Sequence, residues 1–382
     1  MATSAAALIT PGTPPLEVER NLVAIVDGNE RHRAQLSSAL LSFYRMVEYP
    51  DSVRAMAALN ISRPQVLVVA EDAPIGGGYA LVRKLRMYPE YQTLPIIMIV
   101  AQDGEGTRDA VRQCGASAYL VKPYRRSALI KAISSLVNSK VEQAWEALAP
   151  VQKKALKGTV EIYNSISDVI ERGEPISYAS VTDSCAPLVE AVNSHDFKSI
   201  LSGVKDHDNY SYAHSLRVAT LLSLFGNVIG LPESEQLLLA SGGLLHDVGK
   251  MSIPHEVLNK PGRLTEDEFA VMKGHVDASV HYLAANPEIP KGVITIAAQH
   301  HEKLDGTGYP NRIPGNKLNE LARMAAIVDV FGALTDRRVY KPPMPAEKAL
   351  GIMKDEMSNH LDGKLLMLFR EMLLDAAVDT TA

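Results

Sequence analysis

The sequence predicts a doubly wound α/β domain with a parallel sheet over residues 21–137, a helical linker over 138–205, and an all-helical, metal-binding domain over 206–377. Three observations predict this. Short apolar runs alternate with amphipathic stretches in the first third, as buried parallel strands alternate with the helices that cover them. Beyond residue 138 the apolar positions recur at helical spacing instead. Five of the eleven histidines fall at the ends or faces of successive predicted helices, which scattered core histidines would not do.

The strand runs are Leu22-Val-Ala-Ile-Val26, which ends at Asp27, then Val66-Leu-Val-Val69, Ile96-Ile-Met-Ile-Val100 and Ala118-Tyr-Leu-Val121. Amphipathic segments such as Arg31–Ser42 and Gly78–Met87 lie between them. Sheets of this kind place their sites at the C-terminal ends of the strands. Residues 1–20 lack a basic start, turn Thr/Pro-rich by Pro15, and read as a disordered lead with no secretory signal.

This region resembles the response-regulator receiver domain over nearly its whole length. The resemblance rests on Val26-Asp27, Pro64-Gln-Val-Leu-Val-Val-Ala-Glu-Asp-Ala-Pro74, Pro95-Ile-Ile-Met-Ile-Val-Ala101 and Val121-Lys122-Pro123. The departures lie in the active set. The phosphate-accepting Asp falls on Ala70, one of two acidic metal ligands on Gly28, and the switch Thr or Ser on Val100; Asp27 and Lys122 remain. No phosphotransfer is expected at Ala70. Glu71 and Asp72 are close, but a one-residue shift in a strand reverses the face. The expectation is a degenerate receiver used for dimerisation or docking, with a homodimer and a diguanylate cyclase or other signalling protein as partners.

In the linker, Ser139–Arg172 carries Val151, Leu156, Val160, Tyr163, Ile166 and Ile170 at helical spacing, and Pro150 predicts a break or kink near its start. Gly173–Ala179 interrupts it before a second helical patch at Ala186–Ser194, and a stalk is expected. In the last domain Tyr212–Ile229 is a helix stopped by Gly230-Leu-Pro232. The next ends in His246-Asp247 and is expected to be closed by Gly249. Thr265-Glu-Asp-Glu268 is a capping box opening the helix of His275. Pro290 precedes a helix ending at His300-His301, a polar loop spans Lys303–Asn319, and Glu320–Leu334 surrounds Asp329.

An adjacent His and Asp at a helix end offers an imidazole nitrogen beside a carboxylate that can bridge two divalent ions. His275, the doublet His300-His301 and Asp329 follow at helical distances, and His214 lies one helix upstream. Here the sequence resembles the HD-GYP domain, the branch of the HD superfamily that hydrolyses cyclic di-GMP. The motifs are Tyr212-Ala-His214-Ser-Leu-Arg-Val-Ala219, Leu245-His246-Asp247-Val-Gly-Lys250, Ile253-Pro254, Leu258-Asn-Lys-Pro-Gly-Arg-Leu-Thr265, His275, His300-His-Glu-Lys-Leu-Asp-Gly-Thr-Gly-Tyr-Pro310, Ala322-Arg323 and Val328-Asp329-Val-Phe331.

The resemblance implies one metal held by His214, His246, Asp247 and Asp329, and a second by Asp247, His275, His300 and His301, with Asp247 bridging. The ligand mix suits iron first, then manganese, and less well zinc or nickel. Two such ions clamp the attacking and leaving oxygens of an in-line phosphoryl displacement and acidify water, so no Ser or Cys nucleophile is needed. Asp247 and Lys250 are the expected catalytic residues, with the Lys250 ammonium against a phosphate oxygen. Asp305, Gly308, Tyr309 and Pro310 form the loop expected to meet a guanine, and Arg323, Arg338 and Lys341 match basic positions that meet phosphates. Tyr210 stands where some members carry a Glu for a third metal, so two ions are expected.

Other departures concern pocket shape: Phe331-Gly332 for Phe-Asp, Arg338-Val339-Tyr340 for Arg-Pro-Tyr, Asn319 for a Pro, and Leu361-Asp362-Gly363 for Phe-Asp-Pro. The expected reaction opens cyclic di-GMP to linear pGpG and on to GMP. The alternatives are a cyclic di-GMP sensor or docking module, or an HD phosphohydrolase of another nucleotide. A net charge of −5 gives no basic footprint for a nucleic-acid polymer. No apolar run approaches the roughly 18 residues of a membrane span. Cys114 and Cys185 form no redox or metal motif. A cytoplasmic protein is expected.

Overall fold

The computed structural model describes residues 22–40, 44–205, 207, 209–258, 260, 262–336 and 344–376. The expected disordered lead, Arg338 and Lys341 lie outside these residues. The chain divides into two compact units, Glu19–Glu142 and Gln143 onward.

The first unit is a five-stranded, wholly parallel sheet, β1 (Leu22–Val26), β2 (Arg45–Tyr49), β3 (Val66–Ala70), β4 (Ile96–Val100) and β5 (Ala118–Val121), in the order β2-β1-β3-β4-β5. Helices α1 (Glu30–Leu40), α2 (Ser52–Ser62), α3 (Gly78–Arg86), α4 (Glu105–Cys114) and α5 (Arg126–Val137) connect and follow the strands. Alternation along the strands sorts the core into two layers. Val23, Ile25, Val68, Ile97 and Ile99 face Leu36 and Leu40 of α1 and Leu129 and Ile133 of α5. Ala24, Val26, Leu67, Val69 and Met98 face Leu59, Leu81, Leu85 and Val111 of α2 to α4. Strand β2 has no counterpart among the expected strands. It is an edge strand reading Arg-Met-Val-Glu-Tyr, half-exposed, and so lacks the continuous apolar run that marked the other four.

The second unit is helical. After α6 (Ser139–Ala144) come α7 (Pro150–Glu171), α8 (Tyr178–Asn193), α9 (Lys198–Val204), α10 (Tyr210–Val228), α11 (Glu233–Leu245), the short α12 (His255–Leu258), α13 (Glu266–Ala284), α14 (Lys291–Gln299), α15 (Glu320–Thr335), α16 (Ala346–Asp355) and α17 (Gly363–Asp375). Pro150 is the first residue of α7 and kinks nothing, since its missing N–H is an orphan there anyway. Helix α8 starts well before the predicted patch, capped by Ser177, and carries Pro187 internally. Helices α7 to α9, in the segment expected as a linker, pack on α10 and α11 inside this unit. Tyr212 shows the grip: its hydroxyl donates to the Leu156 carbonyl at 3.1 Å and lies 3.0 Å from Thr159 Oγ1. No described helix is long and apolar enough to cross a membrane.

Candidate metal centre

Five helices deliver seven side chains to one buried pocket. His214 lies one turn into α10, whose first turn is capped by Asn209 Oδ1 accepting from the Tyr212 amide at 3.1 Å. His246 ends α11, and Asp247 opens a 3₁₀ turn, Val248–Ser252. His275 rides on α13, which starts with the expected Thr265–Glu268 capping box. His300 ends α14, His301 follows it, and Asp329 sits within α15.

Two glycines set how near these elements come. A Cβ on Gly243 would lie 2.6 Å from Ala219 Cα, so α11 meets α10 backbone to backbone. A Cβ on Gly249 would lie 2.0 Å from the His275 carbonyl oxygen. Gly249 was expected to close α11 as a left-handed cap; instead the chain runs on into the 3₁₀ turn, and the missing side chain admits α13.

Two groups of donor atoms, each within 4.8 Å of one another, share Asp247: His214, His246, Asp247 and Asp329, and Asp247, His275, His300 and His301. Asp247 turns one oxygen to each. Its Oδ2 lies 3.2 Å from His246 Nε2 and 4.0 Å from His214 Nε2, and its Oδ1 lies 3.2 Å from His275 Nε2 and 3.7 Å from His300 Nε2. Ligands bound at 2.0–2.1 Å to one ion stand roughly 3–4.2 Å apart, which these separations match. Asp329 Oδ1 is 3.0 Å from His214 Nε2, and Oδ2 is 3.7 Å from His301 Nδ1.

The far sides of the rings are fixed. Nδ1 of His246, His275 and His300 donates to the carbonyls of Gly243, Met272 and Ala297 at 2.7, 2.7 and 2.9 Å. Each Nε2 is thus the nitrogen turned inward, and it presents a lone pair once it carries no proton. Nε2 of His246, His275 and His300 and Oδ1 of Asp247 are buried without a hydrogen-bond partner. Four buried ligand-type atoms converging without a hydrogen-bond partner fit a divalent cation.

The electrostatics follow. Burial works to lower His246, but Asp247 and Asp329 outweigh it and push it up to about 10. Burial holds His300 down at about 3, helped by His246. Burial and His300 hold His301 well below the ordinary histidine range. Against burial, Lys250 and His246 hold Asp247 well below the usual carboxylate range, and the Lys250 ammonium is hydrogen-bonded to Asp247 Oδ2.

Of the expected substrate residues, Tyr309 stands beside the pocket, its ring 4.7 Å from His301 and edge-on to Phe269 at 6.0 Å. Gly308 packs against the Glu302 backbone, and the Tyr309–Pro310 bond is cis. Asp305 is engaged within the loop, Oδ1 accepting from the Thr307 amide at 2.9 Å and hydroxyl at 2.7 Å. Arg323 is taken up by Asp362 at 3.2 Å and the Gly315 carbonyl at 2.9 Å, which ties the loop to the start of α17. Arg338 and Lys341 lie outside the described residues. Tyr210 stacks on His214 with 5.9 Å between ring centres.

Two residues were missed in the sequence. Buried Glu302 accepts from the amides of Asn311 at 2.7 Å and Ile313 at 3.0 Å and so holds the Tyr309 loop. Asp336 lies 2.7 Å from His214 Nδ1. Asp336 lies two helical turns after Asp329, a spacing that could have flagged it, whereas Glu302 directly follows the histidine doublet and its loop partners lie nine and eleven residues on.

In the first unit, the Asp27 carboxylate is hydrogen-bonded to His32 Nδ1, whose Nε2 meets the Tyr124 hydroxyl at 2.9 Å. Ala70 is buried at the end of β3, and Glu71 Oε1 accepts from the Ala101 amide at 2.6 Å.

The response regulator receiver domain family matches residues 23–134, and the HD domain family matches residues 200–365. The chain joins a receiver domain to an HD domain. It is 29% identical over 336 residues to the cyclic di-GMP phosphodiesterase response regulator RpfG of Xanthomonas campestris, covering 87% of this chain and 82% of that one. It is 34% identical over 199 residues to a cyclic di-GMP phosphodiesterase of Pseudomonas aeruginosa, covering 52% and 48%. It is 37% identical over 174 residues to 3'3'-cGAMP-specific phosphodiesterase 2 of Vibrio cholerae, covering 45% and 33%. The chain thus spans about half or less of the last two relatives. The His/Asp pocket lies wholly within the residues matched by the HD domain family, and the Asp27 and Ala70 positions lie in the part matched by the receiver family.

Proposed function

We propose that this chain is a metal-dependent phosphodiesterase that opens cyclic di-GMP to linear pGpG in second-messenger signalling. Residues 206–377 carry the chemistry, and receiver residues 21–137 serve as an input or docking module without phosphotransfer. The observation that carries the reading is the pair of four-donor groups sharing Asp247, with the Tyr309 loop at its side. The seven side chains would hold two divalent ions, iron or manganese, which supply Lewis acidity at phosphorus and acidify water. The water oxygen forms a bond to phosphorus, the P–O3′ bond breaks with its electron pair leaving on O3′, which takes up a proton to become the 3′-hydroxyl while the water loses one, and a 5′-phosphate is left on the linear dinucleotide.

The chain's own residues set the stage. Asp247 spans the two donor groups with its two oxygens. Lys250, hydrogen-bonded to Asp247, would turn its ammonium to a phosphate oxygen. Tyr309 offers a ring face to a guanine. Glu302 keeps the loop in place.

A second reading, hydrolysis of 3'3'-cGAMP, is favoured by the 37% identity to a relative of that name. The test is turnover of both dinucleotides by the full chain loaded with Fe(II) or Mn(II) under reducing conditions. Faster release of pGpG than of the product from 3'3'-cGAMP is expected. The reverse ranking moves the assignment to the second reading. Two bound ions with cyclic di-GMP bound but never cleaved would make the chain a sensor.

A further inference from the structure

His214 differs from the other ligands in what stands behind it. His246, His275 and His300 each turn Nδ1 to a carbonyl of their own helix. His214 Nδ1 instead meets Asp336 Oδ2 at 2.7 Å, and Asp336 Oδ1 lies 3.0 Å from Arg217 Nε. Asp336 is buried just past the end of α15, and Arg217 lies one turn beyond His214 on α10. Gly332, one turn before Asp336, leaves the room: a Cβ there would lie 3.3 Å from His214 Nδ1 and 3.6 Å from Asp336 Oδ2.

We infer that Asp336, anchored by Arg217 and admitted by the bare Gly332, is the positioning residue of the metal site that contains His214. The inference rests on the two-ion reading above. A carboxylate facing Nδ1 fixes the tautomer that leaves Nε2 as donor to the metal, and it raises the ring's basicity more than a carbonyl does. The two sites are therefore unequal. The His214, His246, Asp247, Asp329 site has a charged group behind one imidazole, whereas the imidazoles of His275 and His300 have carbonyls. Asp336 touches neither site directly and acts through His214 alone. A carboxylate grown from position 332 would reach the same nitrogen, so the role can be moved by one turn.

The test is a calorimetric titration of the full chain with Mn(II), repeated with Co(II) to read the ligand field, beside a thermal melt of the metal-free protein. Asp336→Asn is expected to weaken one of the two ions by roughly 10–100-fold and leave the other unchanged. The melt should stay close to wild type. Arg217→Gln should weaken the same ion by less. Gly332→Asp combined with Asp336→Ser should recover the weakened ion. The last two variants carry the comparison if Asp336→Asn does not fold. Wild-type affinity for both ions in a folded Asp336→Asn chain, equal weakening of both, or a folded double variant without recovery overturns the inference. A wild-type chain that takes up fewer than two ions refutes the two-ion reading itself and removes the inference with it.

Discussion

Replacing Gly249 with alanine probes the packing that assembles the pocket. The new Cβ would stand 2.0 Å from the His275 carbonyl oxygen, 2.5 Å from the Ser279 amide nitrogen and 2.8 Å from Ser279 Oγ. Ordinary contact is roughly 3.5 Å, so the 3₁₀ turn and α13 must part by about 1.5 Å. Two of these three atoms are backbone, and no rotamer change relieves them. The Gly249 amide also donates to Ser279 Oγ at 2.9 Å, a bond that the parting breaks. Overpacking of a tight core costs about 1–3 kcal/mol, and backbone contacts put this case near 3. For a domain of this size that is a fall in melting temperature of roughly 6–12 °C. The parting also carries His275 Nε2 away from Asp247 Oδ1, now 3.2 Å distant. Metal bonds tolerate roughly 0.2 Å, so one ion should be lost. The assay is thermal unfolding of the metal-free chain followed by Mn(II) titration. Gly274→Ala is the control, since a Cβ there meets nothing within 4 Å. It lies inside α13 and should hold or gain about 0.5–1 kcal/mol. A Gly249→Ala chain that melts with wild type and binds two ions refutes the reasoning.

Asp247→Ala should lose metal and activity together, whereas Lys250→Ala should keep both ions and turn over about 10²–10³ times more slowly; metal content measured against rate separates the two. Acetyl phosphate should leave no acid-labile phosphate on the receiver, because Ala70 has no carboxylate and Glu71 is engaged by the Ala101 amide; an aspartyl phosphate detected by mass spectrometry would contradict this. Metal uptake should strengthen as pH rises from 6 to 9. His246, pushed up to about 10, must shed its proton to bind, so protons compete below that value; calorimetry in buffers of differing ionisation enthalpy should show the proton released.

The sequence made much of this legible for identifiable reasons. The four strands buried on both faces announced themselves as apolar runs, and the edge strand Arg45–Tyr49 did not, because half its side chains meet solvent. The Thr265–Glu268 capping box was readable because its partners are local, three residues apart. The seven residues expected as metal ligands were readable as residue types at helix ends, and the structure places them in two groups that could hold an ion. What stayed hidden depends on contacts across the fold. Gly249 looked like a helix stop because nothing in the sequence reports that α13 passes over it. The Arg323 contacts to Asp362 and the Gly315 carbonyl were not legible, because the fold brings those partners to it from distant positions. The helices of residues 150–204 read as a stalk because their apolar faces do not say whether another chain or α10 covers them.

The pocket's charges explain how so many ionisable groups can be buried together. An unpaired buried charge costs several kcal/mol, so each must meet an opposite one. Asp247 is met by Lys250 and His246, and Asp329 and Asp336 are met by His214 and Arg217. Three imidazole nitrogens and one carboxylate oxygen still converge without a hydrogen-bond partner. A hydrogen-bond network cannot satisfy acceptors with acceptors. The proton that Asp247 and Asp329 hold on His246 serves a single neighbour, and the depressed pKa of His300 keeps a second proton off the cluster. A divalent cation resolves all four at once, and it does so without displacing the carbonyls that aim the rings.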